Sequence, residues 1–149
     1  MRAVIQRVSN ASIVIDGVQG GEIGTGLVVL LGVGKDDEDA DIERLVHKIT
    51  HLRIFEDADG KINKSITDVS GSLLIVSQFT LYWNCRKGNR PSFENAMPPT
   101  EAEEMYDRFV KKIAQTGIPY ETGSFGADMK VSLTNDGPVT VWLDTKSNI

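Results

Sequence analysis

The sequence predicts an α+β fold: a mostly antiparallel or mixed β-sheet, half-barrel-like, with two main helices packed on it. Three observations carry this prediction. Strand-like runs rich in Val and Ile recur from residue 2 to residue 143. Only two stretches place apolar residues at helical spacing. Two apolar runs, 27–33 and 72–81, are short and bounded by Gly, the pattern of strands buried on both faces. With 149 residues the chain is expected to form a single domain, 1–149, large enough for a proper core.

Residues 2–16 alternate loosely and read as one long strand or two, with a break near Ser9-Asn10. Asp16-Gly17 is a turn signal, and Gly24 and Gly26 lead into the run at 27–33. The first helix is expected from about 38 to 52, on a stripe of Ile42, Leu45, Val46, Ile49 and Leu52. Acids at its start suit the positive end of the helix dipole. Arg53-Ile54-Phe55 is a short strand, and Lys61-Ile62-Asn63 pairs back across an Asp57–Gly60 turn. In the run 72–81 the apolar half is core, and Ser77, Gln78 and Thr80 emerge at its C-terminal end, where sites often lie. Residues 82–99 are irregular, with room for a short helical turn after Pro91. Thr100 and Glu103 read as a capping box for the second helix, whose buried face is Ala102, Met105, Tyr106, Phe109, Val110 and Ile113 and which stops at Gly117. Residues 119–122 form a strand. Residues 129–133 and 139–143 alternate and read as an antiparallel pair joined by a stiff turn, Asn135-Asp136-Gly137-Pro138-Val139-Thr140. The residues from 144 to 149 read as a frayed tail.

Composition narrows the function classes. Hydrophobic content of 40% and charged content of 25% are ordinary for a globular protein. No run approaches the ~20 apolar residues of a membrane span, and the start of the chain lacks a signal-peptide layout. A single cysteine, Cys85, forms no intrachain disulfide and fits a reducing cytoplasm. Net charge of -5 argues against a general nucleic-acid coat but leaves room for a local RNA contact, and Arg86-Lys87-Gly88-Asn89-Arg90 is the one dense basic cluster.

The side chains offer no obvious catalytic team. His47 and His51 have the spacing of a zinc-binding helix, but the motif's glutamate is missing and no third ligand is evident, so neither metal nor cofactor is expected. Cys85 beside Arg86 and Lys87 has cations to lower its pKa but no visible histidine. Ser77 and Thr80 also lack a base, and there is no nucleophile elbow or phosphate loop. Any chemistry must then lean on backbone groups and on the substrate.

Four blocks in order nevertheless resemble one family: Ser77-Gln78-Phe79-Thr80-Leu81, Arg86-Lys87-Gly88-Asn89-Arg90-Pro91-Ser92-Phe93, Phe125-Gly126-Ala127-Asp128-Met129 and the Asn135–Thr140 turn. Together with the opening strand and Gly32-Val33-Gly34, they are similar to the D-aminoacyl-tRNA deacylases of bacterial type over nearly the whole chain. The resemblance implies that fold. It also implies a homodimer that hydrolyses the ester joining a D-amino acid to the 3′-terminal adenosine of tRNA, and that clears glycine from alanine tRNA. Ser77, Gln78, Phe79 and Thr80 would form the catalytic wall. Gly137, Pro138, Met129 and Val139 would meet the substrate, with Gly137-Pro138 a cis pair inserted into the partner's site. Arg86, Lys87 and Arg90 would meet tRNA. The family's use of backbone N–H groups and the substrate's own 2′-hydroxyl accounts for the missing side-chain team. One departure is Trp83-Asn84-Cys85, where small or acidic residues are usual. Two other readings stay open: a small-molecule hydrolase built on Cys85, and a non-catalytic tRNA-end binder.

Overall fold

Strand β1 (Arg2–Ile15) is the member on which the others assemble in the computed structural model, which describes residues 1–149. It is continuous through Ser9-Asn10 rather than divided. One edge of its first half pairs antiparallel with β3 (Gly26–Gly32), and its second half pairs with β2 (Val18–Ile23), a strand the sequence reading left in the turn region. Beyond β3 lie β6 (Ser72–Ser77) and β7 (Tyr120–Thr122), both joined in parallel. The short strands β4 (Phe55–Glu56) and β5 (Ile62–Lys64) make a separate hairpin, as expected from the turn between them. The result is a mixed sheet that curls almost into a barrel. Val8, Ala11, Ile13, Ile23, Val28, Leu74 and Val76 form a small core on one face of it.

The other face carries the helices. On α1 (Asp39–His51), Ile42, Leu45, Val46 and Ile49 pack against Leu27, Val29 and Leu31 of β3 and Leu73 and Ile75 of β6. On α2 (Pro99–Ala114), Ala102, Met105, Tyr106, Phe109 and Ile113 complete that core. Strands β3 and β6 thus send alternate residues into two cores, the reason their runs are apolar throughout. The start of α2 differs from the expected capping box. The helix begins at Pro99, whose missing N–H is one that a first turn leaves unbonded anyway, and Thr100 falls inside the helix without capping it.

The largest departure concerns the C-terminal third. The expected hairpin is instead a single strand, β8 (Met129–Asp144), and both of its halves pair with the free edge of β1. Residues 129–135 run against Val8–Ile15, and residues 140–144 against Arg2–Gln6. Between Asn135, opposite Val8, and Thr140, opposite Gln6, the segment Asp136-Gly137-Pro138-Val139 bulges out across from Arg7 alone.

The tail is not frayed. Asp144 accepts a hydrogen bond from Arg2 Nε at 2.9 Å, the Thr145 N–H donates to the Met1 carbonyl at 2.9 Å, and Lys146 Nζ donates to Asp41 at 2.7 Å. Burial alone would raise the Asp41 carboxyl, but hydrogen bonds from Lys146, Thr145 and the Glu38 N–H outweigh it and hold the pKa at about 2.

Candidate functional site

A cavity of about 350 Å³ opens where β6 ends, lined on one side by Val76, Ser77, Gln78 and Phe79 and on the other by Phe125, Gly126, Ala127, Asp128, Met129 and Val131. Two of the sequence blocks therefore form its opposite walls. The strand stops at Ser77 instead of continuing to Leu81, and Phe79–Tyr82 turn into a short 3-10 helix. Gln78 is the junction: its N–H still reaches the Leu31 carbonyl at 2.7 Å, while its own carbonyl accepts from Leu81 N–H at 3.2 Å. In such a turn the first N–H groups, those of Phe79 and Thr80, have no acceptor within the helix. Thr80 is exposed, and its hydroxyl is hydrogen-bonded to the Gln78 side-chain amide.

The turn is clamped from beneath by residues that sequence reasoning passed over. Arg2 Nη1 donates to the Leu81 carbonyl at 3.0 Å, and its guanidinium lies 4.4 Å from the centre of the Tyr82 ring. Tyr82 is buried and donates to Asp37 Oδ2 at 3.1 Å, the same oxygen that accepts from the Gly34 N–H at 2.6 Å. Burial, reinforced by the Asp37 carboxylate, pushes the Tyr82 phenol far above its ordinary range, so it stays a donor. A Cβ on Gly34 would lie 2.6 Å from the Tyr82 ring, which explains the glycine at that position. The opposite wall is also braced. The Gly123 N–H donates to the Ile75 carbonyl at 2.9 Å, Asp128 and Asp16 bond each other's backbone, and the Phe125 ring rests 5.9 Å from that of Tyr106 on α2.

Thr80 and Val139 do not line this cavity, and two further predicted groups lie outside it within one chain. Gly137 and Pro138 are exposed on the β8 bulge and contribute nothing to its lining. The bond between them is cis. The bulge is held by Arg7, only 5% exposed, which donates to the Asp136 carbonyl at 2.9 Å and to the Ile54 carbonyl at 2.7 Å. Asn135 closes it from the side, accepting from Val139 N–H at 2.8 Å and donating to Thr140 Oγ1 at 3.0 Å. Gly137 has φ +131°, and a Cβ there would meet Arg7 Nη2 at 2.8 Å. A signal for Arg7 existed in the sequence: it shares the inward parity of Ala3 and Ile5 on β1, where a charge needs a dedicated partner.

The second group is Arg86, Lys87 and Arg90, all exposed on a loop whose neck is a two-bond bridge between Asn84 and Ser92, at 2.8 and 2.9 Å. Just past the neck, Phe93 packs edge-on against Phe79, with ring centroids 4.9 Å apart. The loop is thus tied to the cavity wall through two aromatic rings.

Nothing here assembles a side-chain nucleophile with its base. Cys85 is exposed, and both histidines are on α1, their rings 4.1 Å apart. The one hydroxyl beside an imidazole is Thr50 near His51, and it donates to the carbonyl of Val46. No group of three or more His, Cys, Asp or Glu gathers as a metal site, and no helix is long and apolar enough to cross a membrane.

The family model described as "D-Tyr-tRNA(Tyr) deacylase" matches residues 4–144. This chain belongs to that family. Among curated proteins, the D-aminoacyl-tRNA deacylase of Geobacter sulfurreducens is 59% identical over 147 residues, covering 99% of this chain and 97% of the relative. That of Thermosipho africanus is 56% identical over 146 residues, covering 98% of each. A solved structure titled "c-Myc DNA Unwinding Element Binding Protein" superposes with a TM-score of 0.91 at 44% identity, over 97% of this chain and 98% of that one. A probable eukaryotic D-amino acid tRNA deacylase shares the fold at a TM-score of 0.78 and 18% identity, over 95% of this chain and 97% of its own. Membership of the family makes the chain a hydrolase of the aminoacyl ester bond.

Proposed function

We propose that this deacylase releases D-amino acids and glycine from tRNA and spares L-aminoacyl esters because the Gly137-Pro138 turn of one subunit enters the cavity of its partner. The observation that carries the reading is the separation described above. The cavity beside Ser77–Phe79 and the turn are each well formed, yet the turn lines nothing in its own chain. A second copy would supply it.

The chemistry follows from the groups at hand. The 3′-terminal adenosine brings the ester to the cavity mouth, and the N–H groups of Phe79 and Thr80, unbonded within their turn, would receive the developing oxyanion. Water would be activated with help from the ribose 2′-hydroxyl, since the one carboxylate lining the cavity, Asp128, is ion-paired with Lys130 at 2.5 Å. Thr80, paired with Gln78, would orient the ester instead of attacking it. A backbone carbonyl of the partner's turn would take the amino group, with Met129 of the cavity wall and Val139 of the inserted turn bordering the same space. That carbonyl leaves no volume for a side chain on the L face, so selection works by exclusion. Glycine has no side chain to exclude. Arg86, Lys87 and Arg90 would pair with RNA phosphates, giving a net-acidic protein a local positive surface.

Matched D- and L-aminoacyl-tRNA, with glycyl-tRNA alongside, tests this directly. The expected result is rapid release of the D-amino acid and of glycine with the L-ester spared. Equal hydrolysis of both enantiomers would remove the exclusion argument.

A further inference from the structure

We propose that Trp83 is a stacking platform for an unpaired base of the RNA, just 5′ of the terminal adenosine, so that it positions the acceptor end without taking part in the chemistry. The inference rests on the deacylase reading above and adds a residue to it.

Trp83 is 63% exposed, an unusual state for a large aromatic side chain that no neighbour in the fold requires. Its place is defined at both ends. It terminates the 3-10 turn, donating its N–H to the Thr80 carbonyl at 3.2 Å, and the next residue, Asn84, is one half of the bridge that closes the basic loop. Across that bridge, Ser92 is followed by Phe93, whose ring packs on Phe79, itself 58% exposed at the cavity wall. The order along the surface is therefore cavity, aromatic rings, basic loop. A positively charged track with interleaved exposed rings is the arrangement that holds single-stranded nucleic acid, because any base can stack on a ring while cations follow the backbone. An RNA end whose last sugar sits at the cavity has its preceding nucleotides at the neck of the loop, where the indole is presented. The adjoining Arg86, Lys87 and Arg90 fit a polyanion and argue against an apolar or basic protein partner at this spot.

The experiment compares wild type, Trp83→Ala and Trp83→Phe on D-aminoacyl-tRNA and on the corresponding D-aminoacyl-adenosine, which lacks the upstream nucleotides. Trp83→Ala is expected to raise KM for the tRNA about tenfold with kcat unchanged, in line with loss of one stacked base. Trp83→Phe should recover most of it, and the adenosine ester should show no change. An unchanged KM on tRNA overturns the proposal, as does an equal rise on the adenosine ester, which would make Trp83 part of the cavity. A dissociated assembly in sedimentation of Trp83→Ala would make it an interface residue instead and overturn it too. Fluorescence gives an independent reading. In a Trp142→Phe background the remaining indole should be quenched by an RNA hairpin ending in an unpaired 3′ CCA and not by the blunt hairpin. If wild type hydrolysed no aminoacyl-tRNA, the deacylase reading would fall, while this quench would still decide whether Trp83 stacks. Absence of quenching counts against it.

Discussion

Two exposed segments each contain a glycine, and the molecule holds them in opposite ways. The Asp136–Val139 bulge is fixed from below by a buried guanidinium and from the side by Asn135. The Arg86–Arg90 loop is gathered at a single bridge, with its cations in solvent. Under the proposed function, the difference would suit two physical tasks. Rejecting an enantiomer by steric exclusion requires a wall that does not yield, so its supports must be buried. Following an RNA backbone requires charge at roughly the right distance, and long exposed side chains provide it with little need for fixed geometry. Under the proposed function, one chain would build its selective element from backbone anchored in the core and its affinity element from exposed charge on the surface.

The largest effect is expected beneath the bulge. Arg7→Ala would leave the Asp136 and Ile54 carbonyls without their charged donor and should cost about 3 kcal/mol, or roughly 10 °C in Tm for a domain of this size. Deacylation should fall with it, because the turn loses its support. Thermal unfolding and turnover on the same preparation check this, and an Arg7→Ala protein with wild-type selectivity would mean that the bulge needs no anchor.

Changing the loop should act differently. Replacing Arg86, Lys87 and Arg90 together by Ala is expected to leave Tm within about 1 °C, since these side chains are exposed, and to raise KM for aminoacyl-tRNA about tenfold or more. The slope of log affinity against log salt should flatten by about 2, as three phosphate contacts on a single strand would require. An unaltered salt slope would remove the loop from the RNA surface. The smallest effect belongs to Thr80, on the 3-10 turn that follows β6. Thr80→Ala should slow turnover only several-fold if backbone N–H groups stabilise the oxyanion. Complete loss with intact binding would make the hydroxyl the nucleophile.

The same contrast marks what was legible in the sequence. Both helices were, because their stripes are periodic and local, and Ile42, Leu45, Val46 and Ile49 are buried as expected. So were β3 and the apolar half of β6. The bulge was misread as a hairpin turn because Asn-Asp-Gly-Pro between two alternating runs gives the same local signal in either case. The outcome is decided by β1, far away in sequence, which offers a continuous edge to both runs. The start of α2 was misplaced for a related reason: Thr100 and Glu103 have capping-box spacing, but Pro98 and Pro99 set the boundary first. At the site, the wall residues Ser77, Gln78 and Phe79 and the facing Met129 could be picked out as motif blocks, and they do line one cavity. Their supports, Arg2, Asp37 and Tyr82, could not, because each acts through a partner far along the chain.

Whether the turn works across subunits can be decided by mixing two inactive proteins. Gly137→Val should be inactive, since the left-handed φ and the contact with Arg7 exclude a side chain there. Ala127→Trp should be inactive because it fills the cavity. After subunits are exchanged, a mixed dimer holds one open cavity facing one intact turn if the turn acts in trans, and deacylation of D-aminoacyl-tRNA should reappear. If the turn serves the cavity of its own chain, every site in the mixture carries a lesion, and activity that stays at the level of the separate variants would contradict the account.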